Sequence, residues 1–237
     1  MTITKEIGDI LTSEDTPTIS NALDIYRGDR SVDDFTQLPF VSSNTKLKPV
    51  IGIARTAKIK ASAPSSLKPE QVSDLRVKYY EYMALKPSNQ EIRNFCVIED
   101  LDWPKTIGSF WGEVNVSIHK GLGLAGTLTN GLLRDLDEID TNYMVLASAI
   151  GPSHAYVHVV EFGIDVNISG LNIKDGDIIH ADQHGAVKVP PESLNMLPRA
   201  IRFMHKKESH IIQAAKKDDF DIEKLKIAWS KANSEKF

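Results

Sequence analysis

Residues 112–140, GEVNVSIHKGLGLAGTLTNGLLRDLDEID, end in a knot of charge. Arg134, Asp135, Asp137, Glu138 and Asp140 fall within seven residues, directly after an apolar run punctuated by glycines. A buried strand leading into such a cluster delivers polar groups to a cleft. Hard divalent cations take carboxylate oxygens, and the planar fork of an arginine matches a carboxylate or enolate oxygen. Together these residue types can hold a 2-oxo acid against a metal ion. The same acids also read as a solvated turn capping a helix, because Asp and Glu favour a helix N-terminus, and the cluster alone favours that plainer reading.

The elements that must position this cluster alternate between helical and strand periodicity, which predicts an α/β fold. Thr16-Pro17-Thr18 introduces a helix with Ile19, Ala22, Leu23 and Tyr26 on one face and Gly28 as its stop signal. Residues 30–49 read as a loop, and IGIARTAKIKA as an alternating strand. A helix is predicted from Lys68 with Val72, Leu75, Tyr79, Tyr82 and Met83 on one face, followed by a strand over 95–99. GSFWGEVNVSIHKGLG reads as a helix opening at a glycine-rich turn, LAGTLTN as a strand, and 144–149, 156–162, 177–180 and 186–189 as further strands. Past Pro190 come two amphipathic helices, the second with Ile222, Leu225, Ala228 and Trp229 in register. We expect a domain over 1–190 and, over 191–237, a helical extension of the same domain, suited equally to subunit contacts or to packing back.

Other motifs carry less. Gly121, Gly123 and Gly126 match the dinucleotide pattern G-x-G-x-x-G, but that mechanism needs a strand before and a helix after, and here the order is reversed. The glycines read instead as the end of a helix and the start of a strand. His154 and His158 flank a strand-like AYV, so the helical spacing of a zinc protease is not available, and packing against strands or a subunit interface is the expected role. Cys96, the only cysteine, reads as a buried structural thiol. The chain of 237 residues is 41% hydrophobic and 25% charged, with a net charge of −4, so nothing attracts it to a nucleic acid or points to a membrane span. The opening residues suggest no secretory signal, and a cytoplasmic location is expected.

The string WGEVNVSIHKGLGLAGTLTNGLLRDLDEID, with GIARTAKI before it and SHAYVHVVEFG and GDIIHADQHGAVKVP after it, resembles the RraA-like family. That family includes 4-hydroxy-4-methyl-2-oxoglutarate and 4-carboxy-4-hydroxy-2-oxoadipate aldolases and the regulator of ribonuclease activity A. The similarity runs over about residues 16–190, and its most specific piece is the WGE turn joined to R-D-x-x-E-x-D. The spacing of Gly112 and Arg134 and the full acidic string match the aldolase branch.

The resemblance implies a compact layered α/β domain related to swivelling phosphohistidine domains, assembled as a homotrimer or homohexamer with the cleft between subunits. It implies that Gly112, Glu113, Val114 and Asn115 cradle the carboxylate of a 2-oxo acid, chiefly through their backbone. Arg134 would hold the same molecule's oxygens and act with Asp135 in catalysis. Asp135, joined less directly by Glu138 and Asp140, would hold Mg²⁺ or Mn²⁺, while Asp137 occupies a position the pattern leaves open. The expected activity is a metal-dependent carbon–carbon lyase on pyruvate-containing 2-oxo acids. The alternative is a non-catalytic regulator binding a ribonuclease or helicase.

Overall fold

The computed structural model describes residues 3–87 and 91–237, so Met1 and Thr2 of the expected first domain lie outside it. Helix α1 (Lys5–Thr12) adds to the elements expected from the sequence, with Ile7, Ile10 and Leu11 at helical spacing. Thr4 Oγ1 caps it by accepting the Ile7 N–H at 3.3 Å. Helix α2 (Thr16–Arg27) starts on Asp15, whose carboxylate accepts the Thr18 N–H at 2.8 Å, and it buries Ile19, Ala22 and Leu23 as predicted. It stops at Gly28, whose φ of 74° is the left-handed conformation glycine adopts at little steric cost.

A two-residue strand β1 (Val41–Ser42) interrupts the expected loop, and β2 (Val50–Lys60) follows it. Helix α3 (Pro69–Met83), β3 (Asn94–Asp100), β4 (Ser109–Trp111), α4 (Glu113–Gly121), β5 (Gly126–Thr129) and β6 (Leu132–Leu133) come next. They are followed by β7 (Met144–Ala147), β8 (Ala149–Ile150), β9 (His158–Phe162), the hairpin β10 (Val166–Ile168) and β11 (Leu171–Ile173), β12 (Ile178–Asp182) and β13 (Gly185–Lys188). Helices α5 (Leu197–Ala215) and α6 (Ile222–Ser234) close the chain.

The main sheet runs β1-β7-β5-β3-β2-β12-β13. One edge of β2 pairs in parallel with β3, while its other edge pairs first with antiparallel β12 and then with β9, across a register shift between Lys58 and Ile59. Such an irregularity bends a strand and raises its twist, so the sheet curls. The parallel centre, β2, β3, β5 and β7, is covered on both faces, which is why NFCVIED and MVLA read as continuous apolar runs. Phe95 and Val97 pack with Leu128, Met144 and Leu146 on one face; Cys96 and Ile98 pack with Tyr79, Trp111 and Val145 on the other. Cys96 is therefore the buried thiol its sequence context predicts.

Two differences from the periodicity bear on function. Residues 144–149 form not one strand but β7 in the main sheet and β8 in a second sheet, ordered β4-β6-β8. Ser148 marks the switch, donating its N–H and hydroxyl to the Gly131 carbonyl, each at 3.0 Å. The C-terminal arm packs back on its own chain: Leu197, Ala200 and Ile201 share a core with Ile3, Leu11, Ile19 and Leu23. Of the expected apolar set on α6, Ala228 is buried whereas Ile222 and Trp229 are exposed. Among the described residues no helix is long and apolar enough to cross a membrane.

Two buried histidines make stability depend on pH. His180 Nε2 donates to the Leu11 carbonyl at 3.0 Å and His119 Nδ1 to the Asn115 carbonyl, and burial pushes both rings down to about 4 from the ordinary 6.5. Protons therefore bind the unfolded chain at a pH where the folded one still excludes them, and stability falls as pH drops from 6.5 towards 4. Buried Asp100, pushed up to about 6 from 3.8, acts in the opposite sense, but one group against two leaves a net loss. Urea titrations should show stability lower by roughly 1–3 kcal/mol at about pH 5 than at about pH 7. A profile flat over that range would contradict this.

Candidate active site

The three strands of the second sheet are parallel, so their C-terminal ends converge. In α/β proteins such ends are where ligands bind. β4 delivers Gly112 and Glu113, β6 delivers Arg134 and Asp135, and β8 delivers the turn at Gly151 that runs on to His154. Backbone bonds fix this alignment: the Arg134 N–H donates to the Trp111 carbonyl at 2.9 Å, Gly151 N–H to Leu133 at 3.0 Å and Ser109 N–H to Ser153 at 2.8 Å.

Gly112 is the N-cap of α4, and it lies hard against the cluster. A Cβ there would collide with Asp135 Oδ2 and stand 3.1 Å from both Cγ and Nε of Arg134. Without it, Asp135 Oδ2 accepts the Glu113 N–H at 3.2 Å and sits 3.5 Å from Arg134 Nε. Asp135 reaches back this way because its φ is 56°, a left-handed conformation that Asp tolerates better than most residues. Its own carbonyl then accepts the N–H groups of Glu138 and Ile139, at 3.1 and 3.0 Å, closing the turn. An acid does cap a helix here, as the plainer reading supposed, but across strands and beside an arginine. The remaining N–H groups of α4's first turn, at Val114 and Asn115, have no intrahelical acceptor and carry the positive end of the helix dipole.

Around this junction lies a cleft of about 650 Å³, lined among others by Arg76, Ser109, Phe110, Val114, Asn115, Arg134, His154 and His158. The Glu113 and Val114 side chains are exposed, in keeping with a role for their backbone. The Asn115 side chain, unlike those two, is enclosed. It is buried, its Nδ2 donates to the Phe110 carbonyl, and its Oδ1 accepts from Tyr80 Oη at 2.7 Å and Arg76 Nη2 at 3.1 Å. Arg76, on a helix distant in sequence, is invisible to local motifs. His154 and His158 line the cleft, His158 from the first position of β9 beside Lys60 of β2. Each Nδ1 bonds a backbone carbonyl, at 2.7 and 2.8 Å, and must carry the hydrogen, so in a neutral ring Nε2 is the basic nitrogen.

The carboxylates diverge. The Asp140 carboxylate pairs with Lys120, which holds its pKa below the usual range, and it also caps the Asn142 N–H at 2.8 Å. Asp137 and Glu138 face solvent. Among the described residues no three His, Cys, Asp or Glu side chains converge to hold a metal, so Asp135, Glu138 and Asp140 do not make a three-ligand cage. Asp135 Oδ1 takes no protein hydrogen bond among the described residues, and Mg²⁺ or Mn²⁺, which commonly keeps several waters beside one or two carboxylates, would find a single carboxylate ligand there.

Comparison with known proteins identifies the family of the chain. The family model RraA-like (Aldolase/RraA) matches residues 16–188. Protein DlpA of Legionella pneumophila is 30% identical over 89 residues, 35% of this chain, and the match spans 14% of that protein's length. An uncharacterized protein from Pseudomonas syringae pv. tomato superposes with a TM-score of 0.70 at 21% identity, covering 96% of this chain and 95% of that one. Streptomyces coelicolor RraAS2, described as an unusual member of the RNase ES inhibitor RraA protein family, does so with a TM-score of 0.65 at 19% identity, covering 88% and 96%. The family match spans both the parallel strand ends and the glycine–arginine–aspartate junction, and the chain belongs to the RraA-like family.

Proposed function

We propose that this chain is a divalent-metal-dependent lyase that cleaves a carbon–carbon bond beside a pyruvate unit. The reactions in view are retro-aldol cleavage of a 4-hydroxy-2-oxo diacid and decarboxylation of oxaloacetate. The observation that carries this reading is the junction itself, where Arg134 and Asp135 lie against the N-terminus of α4. Both reactions leave electrons on an enolate of pyruvate, so a site that meets negative charge with preorganised donors lowers their common barrier. Val114 and Asn115 N–H groups would take the substrate carboxylate. The Arg134 guanidinium would meet the 2-oxo oxygen as charge develops on it. A Mg²⁺ or Mn²⁺ held at Asp135 would supply Lewis-acid stabilisation of that same oxygen. In the retro-aldol reaction a base must also take the 4-hydroxyl proton, and the Nε2 atoms of His154 and His158 are the basic groups lining the cleft.

Pyruvate release from oxaloacetate tests the metal directly. Chelation with excess EDTA should reduce the rate to the uncatalysed background, and Mg²⁺ or Mn²⁺ should restore it. Full turnover in EDTA would remove the metal from the site. Folded, metal-loaded protein that turned over no 2-oxo acid would leave the non-catalytic regulator as the better reading.

The active form in this proposal is a homotrimer or homohexamer. Val114, Ile150 and Tyr156, beside the cleft or at the convergent strand ends, are 66%, 54% and 60% exposed, an apolar rim that a neighbouring copy would cover. Light scattering on active enzyme should give three or six times the chain mass of 26.3 kDa. A fully active monomer would contradict the shared cleft.

A further inference from the structure

We infer that Arg76 sets the substrate specificity of this cleft, gripping an anionic group at the end of the substrate opposite its 2-oxo acid. The inference rests on the 2-oxo acid reading of the Arg134 end. Four arginines among the described residues are half-buried, and three of them face a carboxylate: Arg27 pairs with Asp34, Arg55 with Asp175 at 3.1 Å, and Arg134 with Asp135 at 3.5 Å. Arg76 makes no ion pair with any described residue. Its Nε donates to Tyr80 Oη at 3.0 Å and its Nη2 to Asn115 Oδ1 at 3.1 Å, and its guanidinium lies 5.2 Å from the centre of the Phe110 ring. Every one of these partners is neutral. A cation withdrawn from water and met only by neutral groups has unspent affinity for an anion.

The surroundings also fix where Arg76 is held. Tyr80 Oη accepts from Arg76 and donates to Asn115 Oδ1, while Asn115 Nδ2 is held by the Phe110 carbonyl, so the guanidinium is braced before any ligand arrives. Gly112 caps α4 and Asn115 stands in its first turn. One arginine thus approaches that turn at Gly112 and the other at Asn115, and both line the same cleft. The same lining includes the apolar Phe110, Val114 and Val157. Two cations and an apolar wall in one cleft suit a short aliphatic chain with a carboxylate at each end.

The test compares two ligands that differ only in the distal carboxylate, 2-oxoglutarate and 2-oxopentanoate, by calorimetry with Mg²⁺ present. Wild-type protein should bind the diacid at least about tenfold more tightly. Arg76→Gln should abolish that preference while leaving the monoacid affinity unchanged, Arg76→Lys should keep part of it, and Arg134→Gln should weaken both ligands alike. Thermal melts of each variant confirm folding. A preference that survives in folded Arg76→Gln, or equal loss of both ligands there, overturns the inference while the 2-oxo acid reading stands. Wild-type protein that binds neither ligand overturns that reading, and the inference with it.

Discussion

The candidate site depends on the missing side chain at Gly112. Parallel pairing of β4 with β6 brings the residue after Trp111 and the residue after Leu133 to the same level, and there the backbone of one must pass the charged groups of the other. Gly112 has an extended backbone, with φ of −167°, that any residue can adopt, so its role concerns space rather than conformation. The space admits Asp135 Oδ2 to the first turn of α4 and brings Arg134 Nε alongside. The left-handed backbone at Asp135 costs on the order of 1–3 kcal/mol, a strain that persists because the turn through Glu138 and Ile139 over-determines it.

Charge is distributed around that contact unevenly. The positive end of α4, Arg134 and Arg76 all approach one turn of helix, where Asp135 bonds the backbone and the Glu113 side chain is exposed. The other acids of the R-D-x-x-E-x-D string are elsewhere, with Asp140 on Lys120 and Glu138 in solvent. A cleft with this balance favours an anionic ligand. Members of a single family can serve as aldolases or as regulators because the fold supplies only the convergent strand ends, while the side chains placed there decide the chemistry.

Much of this was legible in the sequence where the determinants are local. The α2 face and its Gly28 stop, the buried runs of β2 and β3, and the glycines that end α4 rather than opening a nucleotide loop all follow from periodicity and backbone preference. The Arg134–Asp135 pair and the Gly112 turn stood out as a motif. What escaped was non-local. Arg76 reaches Asn115 from another helix, His154 reaches the cleft through a loop that pairing with Ser109 pins in place, and His158 reaches it from the first position of β9. Residues 144–149 read as one strand because nothing in their apolar pattern marks Ser148 as the point where the chain leaves one sheet for another. Helix α1 and the β10–β11 hairpin are too short to hold without the core they cover, although Ile7, Ile10 and Leu11 stand at helical spacing and VNI and LNI alternate around Ser169-Gly170.

The most direct measurement is the kcat/KM for pyruvate release, with Mg²⁺ present, of Gly112→Ala beside wild type. The backbone accepts alanine, so circular dichroism and melting temperature should change little, whereas the new methyl group must displace Asp135 and Arg134. A misplacement of this kind costs about 100-fold or more, and that loss is the expected result, together with weaker Mg²⁺ binding. A folded Gly112→Ala variant with near-normal kcat/KM would show that the close approach of Gly112 to the arginine–aspartate pair is not what makes the site.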